Sequence, residues 1–127
     1  MIIKIPFKTP CGNHYIAHNG KFTYMYAEAR KLKEEINDIV KTKLVYEDIN
    51  SLKDKPLSVT INIHEQWYCK NGNLKRTDLD NKFKFIIDSV FTPLGIDDKH
   101  ICHIEGNKDL DFKDGDEEYT SVEIVLL

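Results

Sequence analysis

The chain opens with apolar residues at positions 2, 3, 5 and 7 in the run IIKIPF, a spacing that predicts a short strand over residues 2–7. Tyr15 to Tyr24 reads as a hairpin about Asn19-Gly20, a dipeptide that tolerates the positive φ of a tight turn. From Ala27 to about Leu44, the residues Ala29, Leu32, Ile36, Ile39, Val40 and Leu44 recur at three- or four-residue spacing between lysines and glutamates. That period predicts an amphipathic helix. A polar connection over residues 45–57 follows and contains Pro56, after which Val59, Ile61 and Ile63 alternate with Thr60, Asn62 and His64. Period two predicts a half-buried strand running to about Trp67. Asn71-Gly72-Asn73 is a turn signal. Between Asp80 and Phe91, the residues Phe83, Ile86, Ile87, Val90 and Phe91 share one helical face, so a second helix is expected to end before Pro93 and Gly95. A strand near His100 to Glu105 and a last one at Ser121 to Leu127 flank the polar stretch 106–119, which reads as an exposed loop.

These elements, in the order β, ββ, α, β, α, β, β, predict an α+β domain: a single mixed or antiparallel sheet with two amphipathic helices packed on it, spanning residues 1–127. No internal repeat or domain boundary interrupts the pattern. A chain of 127 residues can bury about two thirds of its unfolded surface, so it needs neither metal nor disulfide to fold. Hydrophobic residues at 41% and charged ones at 31% argue against wholesale disorder. Cys11, Cys69 and Cys102 form no CxxC pair, and an odd count fits reduced thiols better than an extracellular disulfide framework. Lys4 interrupts the first apolar run too early for a signal peptide, and no later segment has the length to span a bilayer, so a cytoplasmic location is expected. The formal charge of −3 gives no global attraction for nucleic acid; binding to it requires a local basic patch.

The chemistry-bearing stretch is Lys75-Arg76-Thr77-Asp78-Leu79-Asp80-Asn81. In extended backbone, residues i and i+2 point to one side, so Asp78 and Asp80 can converge while Leu79 faces the core. Lys84 follows Asp80 by one helical turn and can reach the same space. A second acidic pair, Asp97-Asp98, comes after Pro93-Leu94-Gly95-Ile96, and a return loop would bring it back to the first. Asp78, Asp80 and Asp98 gathered in one place would repel one another unless a cation lay between them, and all-oxygen donors suit Mg²⁺ or Mn²⁺. Such ions activate water and neutralise charge developing at phosphorus. The plainer alternative is that Asp80 or Thr77 caps the second helix.

The run RTDLDN, Lys84 after it, the helix containing Phe83 and Asp88, and the closing GIDD together resemble the signature segment of the RusA-type Holliday junction resolvases. The similarity is best from about Lys75 to Lys108 and weaker over residues 1–45, where Pro10, Gly12, Asn13 and Tyr15 match only loosely. Thr77 stands where the family's basic run can continue. The resemblance implies that Asp78, Asp80, Asp98 and Lys84 are the functional residues, with Asp97 as an additional acid. It implies a homodimeric, Mg²⁺-dependent endonuclease of bacterial or phage origin, working on nucleoid DNA in recombination and repair. Such an enzyme nicks two opposed strands of a four-way junction symmetrically. Lys70, Lys75, Arg76, Lys82 and Lys99 neighbour the acids in sequence and are candidates for DNA contact, as are Tyr15, His18 and Lys21 of the hairpin.

Other signals carry less. The acidic loop Asp109 to Asp116 has Lys113 where a calcium ligand belongs, and His100-Ile101-Cys102-His103 has no second cluster to complete a zinc site. Trp67 is better read as core or interface than as a base-stacking platform. Two alternatives to the nuclease stay open: a noncatalytic junction-binding protein with a degenerate site, and a metal-dependent phosphohydrolase of small phosphate compounds.

Overall fold

The computed structural model describes residues 1–11, 16–19, 22–25 and 27–127, with 16–19 and 22–25 described by backbone alone. The elements are β1 (Ile2–Ile5), β2 (Ile16–Asn19), β3 (Phe22–Met25), α1 (Ala27–Tyr46), β4 (Leu57–His64), α2 (Asp80–Leu94), a 3₁₀ turn (Asp98–His100), β5 (Ile101–Asp109) and β6 (Tyr119–Leu126). Four strands form one mixed sheet in the order β1-β6-β4-β5, while β2 and β3 pair antiparallel with each other. In that hairpin Asn19 is opposite Phe22. Tyr15 and Lys21 lie outside the described residues, as does the His18 side chain.

Central β4 sets the layering. Leu57, Val59, Ile61 and Ile63 are buried, and the residues between them are half-exposed, so one face is core and the other is wet. The same parity continues across antiparallel β6, where Val59 is opposite Ile124, Ile61 opposite Val122 and Ile63 opposite Thr120. It continues into β1, where Ile3 is opposite Val122 and Ile5 opposite Thr120. Ile36 and Val40 of α1 and Phe85, Ile86, Val90 and Leu94 of α2 complete this core. The α1 helix lies against α2 and β1. Ile49 and Leu52 anchor the connection after α1, whose polar sequence conceals two buried side chains.

The strands β4 and β5 are parallel, joined by the α2 crossover. Here β5 extends four residues past the expected end at Glu105, into what reads as loop. The polar residues of this extension serve an edge strand with one face in water, and Gly106 is required by what lies above it. A Cβ at Gly106 would overlap the Phe83 ring and crowd Leu79 Cδ2 at 3.2 Å, so the start of α2 rests directly on the β5 backbone. The helix also runs through Pro93 to Leu94, rather than stopping ahead of the proline, and closes on Gly95 at φ 69°. A proline in the last turn forfeits a single hydrogen bond where the helix is ending in any case. The three cysteines are free.

Gly106→Ala should destabilise the domain by about 1–3 kcal/mol through overpacking. The measurement is the thermal midpoint, with Phe83→Leu added to recover part of the loss; an unchanged midpoint in the single variant would refute this packing.

Candidate active site

The site is assembled by the chain between β4 and α2. Beyond His64 the chain buries Glu65 and Trp67, and the indole N–H of Trp67 donates to the Ile63 carbonyl at 3.1 Å. A small hairpin follows. Tyr68 bridges Leu74, and the Cys69 N–H donates to the Asn73 carbonyl at 2.7 Å. Gly72 takes φ 86° at its tip, as the Asn-Gly-Asn signal predicts. The Lys75 N–H then donates to the Trp67 carbonyl at 2.8 Å, which returns the chain to the core and delivers Arg76 and Thr77 to the start of α2. Lys70 and Arg76 are exposed and Lys75 is half-buried.

Asp78 and Asp80 are both exposed at this helix start. Half-buried Leu79 between them packs against the core as expected, but the backbone there is not extended. Leu79 is already helical at φ −61° and ψ −43°, and the Asn81 N–H donates to the Asp78 carbonyl at 3.3 Å. The backbone between the two acids is thus the first turn of a helix and not a strand. The capping alternative is unfilled as well: the N-cap position is Leu79, and no side-chain hydrogen bond closes it.

Asp97 and Asp98 lie toward the far end of α2. The Asp97 carboxylate accepts from the Lys99 N–H at 2.9 Å, a bond that holds its carboxyl below the ordinary carboxylate range. Both acids line a hollow of about 220 Å³ with Asp88, Phe91, Thr92 and Ile96, and Lys99 beside them is exposed. The expected return of this pair to Asp78 and Asp80 does not occur within one chain. From Asp80 to Asp88 alone is about 12 Å of helix axis, and the short link after Leu94 packs against the last turns of α2. Among the described residues no group of three His, Cys, Asp or Glu side chains is placed to hold a metal ion. The carboxylate donors suit a hard divalent ion in kind, but one chain divides them between two places. Lys84, 68% exposed, has its ammonium 3.5 Å from Asp88 Oδ2, which is one turn further from Asp80.

Lys82 is not available to DNA. It is 0% exposed; its ammonium donates to the Thr9 carbonyl at 2.9 Å and forms a short charge-assisted hydrogen bond with buried Glu65. Lys8 Nζ lies 4.0 Å from the other Glu65 oxygen. Lys82 Nζ is 5.5 Å from the centre of the Trp67 ring and Lys108 Nζ is 4.7 Å from it, and Lys108 donates to the Thr77 carbonyl at 2.9 Å. Glu65 and Lys108 escaped the reading of the sequence. One signal was present: Lys82 lies on the helical stripe of Phe85, Ile86 and Ser89, and a lysine on a core-facing stripe requires a buried partner. Beside this cluster opens a hollow of about 740 Å³ lined by Lys8, Thr9, Glu65, Lys75, Thr77 and Lys82, among others.

A second charged cluster lies on the open face of the sheet. His64 Nδ1 is 2.7 Å from Asp109 Oδ2 and its Nε2 is 3.4 Å from Asp116 Oδ2, with the ring stacked on Tyr119 at 4.8 Å. The Asp109 carboxyl is held below its ordinary range, first by the Asp111 N–H and then by His64. The acidic loop after β5 is thus folded back onto its own sheet.

The family described as Endodeoxyribonuclease RusA matches this chain over residues 6–126. No curated protein matches it.

Lys82→Met should cost about 3–5 kcal/mol, because it leaves the Glu65 carboxylate buried without its partner. The double variant Lys82→Met/Glu65→Leu should recover most of that in thermal unfolding. Equal loss in both variants would show that the ion pair is not what holds this region.

Proposed function

We propose that this chain, which belongs to the RusA endodeoxyribonuclease family, resolves four-way DNA junctions as a homodimer by paired, Mg²⁺-dependent nicks. The observation that carries the reading is the exposed acid pair Asp78 and Asp80 at the N-terminus of α2, delivered by a hairpin bearing Lys70, Lys75 and Arg76. A helix N-terminus favours a phosphate, and the basic hairpin offers the local patch that an acidic protein needs for DNA. An open, basic-rimmed site fits a duplex arm better than a small phosphate compound, which would need enclosure.

A homodimer answers the division of the acids. Among the described residues the outer edge of β5 is unpaired; the strand is nine residues long and free of proline, and Ile104 on it is 40% exposed. Partly buried Leu79, Phe83 and Ile87 of α2 run beside it. Such an edge pairs readily with another strand. Two copies joined antiparallel through β5 would continue the sheet and keep both α2 helices on one face. Because α2 starts over Gly106 and ends near the beginning of β5, this pairing brings Asp98 of the partner subunit toward Asp78 and Asp80.

The residues then divide the work. Asp78, Asp80 and Asp98 of the partner subunit would hold the divalent ion, with Asp97 as a further acid and Mn²⁺ as a substitute. When bound, that ion supplies an activated water and offsets charge on phosphorus. Lys84 offsets charge on the phosphate or gives a proton to the leaving oxygen. Lys75, Arg76 and Lys70 hold the backbone on one side of the cut, and Lys99 borders the partner's acids. The two-fold axis of the dimer matches that of the junction, so two opposed strands are cut alike. No helix among the described residues is long and apolar enough to cross a membrane. We place the protein's work in the cytoplasm of a bacterial cell, on recombining or damaged nucleoid DNA.

A labelled synthetic four-way junction, compared with a linear duplex of the same sequence, should show paired symmetric nicks with Mg²⁺ and none with EDTA. Asp80→Asn should fold and bind the junction while cleavage falls by about 10²–10³-fold or more. Junctions left whole with Mg²⁺ and Mn²⁺ across several sequences would point instead to a noncatalytic binder. For the assembly, Ile104→Arg should give a monomer in sedimentation and lose cleavage; a dimer that still cuts would refute pairing through β5.

A further inference from the structure

We propose that Lys108 and Lys82 are positioning residues for the acid pair, holding the chain on either side of Asp78 and Asp80 against the buried ring of Trp67. The inference rests on reading Asp78 and Asp80 as the reactive carboxylates. On the upstream side, Lys108 Nζ donates at 2.9 Å to the carbonyl of Thr77, the residue that leads into Asp78. On the downstream side Lys82, two residues past Asp80, is fastened to the Thr9 carbonyl and to Glu65. Both ammoniums sit over one indole, at 4.7 and 5.5 Å from its centre. Trp67 itself is bound to β4 through the Ile63 carbonyl and to the basic hairpin through the Lys75 N–H.

The helix start does not supply this fixity alone. Among the described residues no side chain caps α2, and an uncapped first turn frays unless something outside holds it. The two lysines are not equivalent. Glu65 neutralises Lys82, so Lys82 fixes position without adding net charge. The partners of Lys108, a carbonyl and an indole, carry no charge to cancel that of the ammonium, which sits beside the chain leading into Asp78 and lessens the repulsion between the two acids.

Lys108→Met keeps an apolar stem over Trp67 and removes the ammonium. MnCl₂ is titrated into the DNA-free parent, Lys108→Met and Asp80→Asn, with free Mn²⁺ followed by electron paramagnetic resonance; binding that disappears in Asp80→Asn defines the site. Junction cleavage is measured alongside. In Lys108→Met, Mn²⁺ affinity at that site should fall about ten- to a hundred-fold, and kcat by a similar factor. The KM for junction and the thermal midpoint should change little. Parent-like Mn²⁺ affinity overturns the proposal, whether or not the thermal midpoint drops. If Lys108→Met does not fold, Lys82→Met/Glu65→Leu decides by the same two measurements. A parent that binds Mn²⁺ through Asp80 yet leaves junctions uncut refutes the resolvase reading alone, and the Mn²⁺ comparison still decides this one. A parent with no Asp80-dependent binding overturns it.

Discussion

An ammonium enclosed in the core and matched to one carboxylate is the constraint on which the rest depends. Moving Lys82 and Glu65 out of water carries a penalty of several kcal/mol per ion, offset only while the pair stays together with its further contacts. Separating them leaves a bare charge in the core. The pair therefore has one acceptable geometry, and it joins three segments remote in sequence: the chain after β1 through the Thr9 carbonyl, the end of β4 through Glu65, and the first turn of α2 through Lys82 itself. A charge-assisted hydrogen bond is directional, which apolar contact is not. That difference suits a place where two aspartates project into solvent from an uncapped helix end.

The helix itself acts as a spacer. Its fifteen residues extend about 22 Å, and because it is the crossover between parallel β4 and β5, its two ends lie at opposite ends of the sheet. Acids near both ends cannot meet in one chain, whatever the loop after Leu94 does. In the proposed dimer each protomer would carry half of two sites, completed together by the two-fold axis. Coupling of this kind would make cutting depend on assembly, a useful property where a single unpaired nick would leave a broken junction.

Much of this was legible in the sequence, and the failures share a cause. The stripe of α1, the alternation of β4 and the turn at Gly72 were readable because each is decided by neighbours a few residues away. The end of β5 was not, since Gly106 and Asn107 look like loop until Phe83 is known to rest on the glycine. The same holds at Asp78 and Asp80: their spacing suggested a shared face only on the assumption of extended backbone, and Leu79 turns helical one residue earlier than that assumption allows. Lys82 looked like one more surface cation in a basic stretch, although its place on the Phe85 and Ile86 stripe contradicted this. Its partner, Glu65, lies seventeen residues away, and only the sheet end brings them together.

The acidic net charge can also be reconciled with a DNA substrate by where the charges lie. Glu105, Asp109 and Glu123 sit at the parity of β5 and β6 that faces away from the helices, and His64, on the same open face, draws in Asp116 from the following loop. The hairpin with Lys70, Lys75 and Arg76, and Lys8 at the rim of the larger hollow, belong to the region around the start of α2. Within a Debye length of about 8 Å in physiological salt, a phosphate beside Asp78 and Asp80 would sense the second group and little of the first. Net charge is thus a poor guide to this molecule's partners, because Glu105, Asp109 and Glu123 are turned to the open face while Lys70, Lys75 and Arg76 lie by the start of α2.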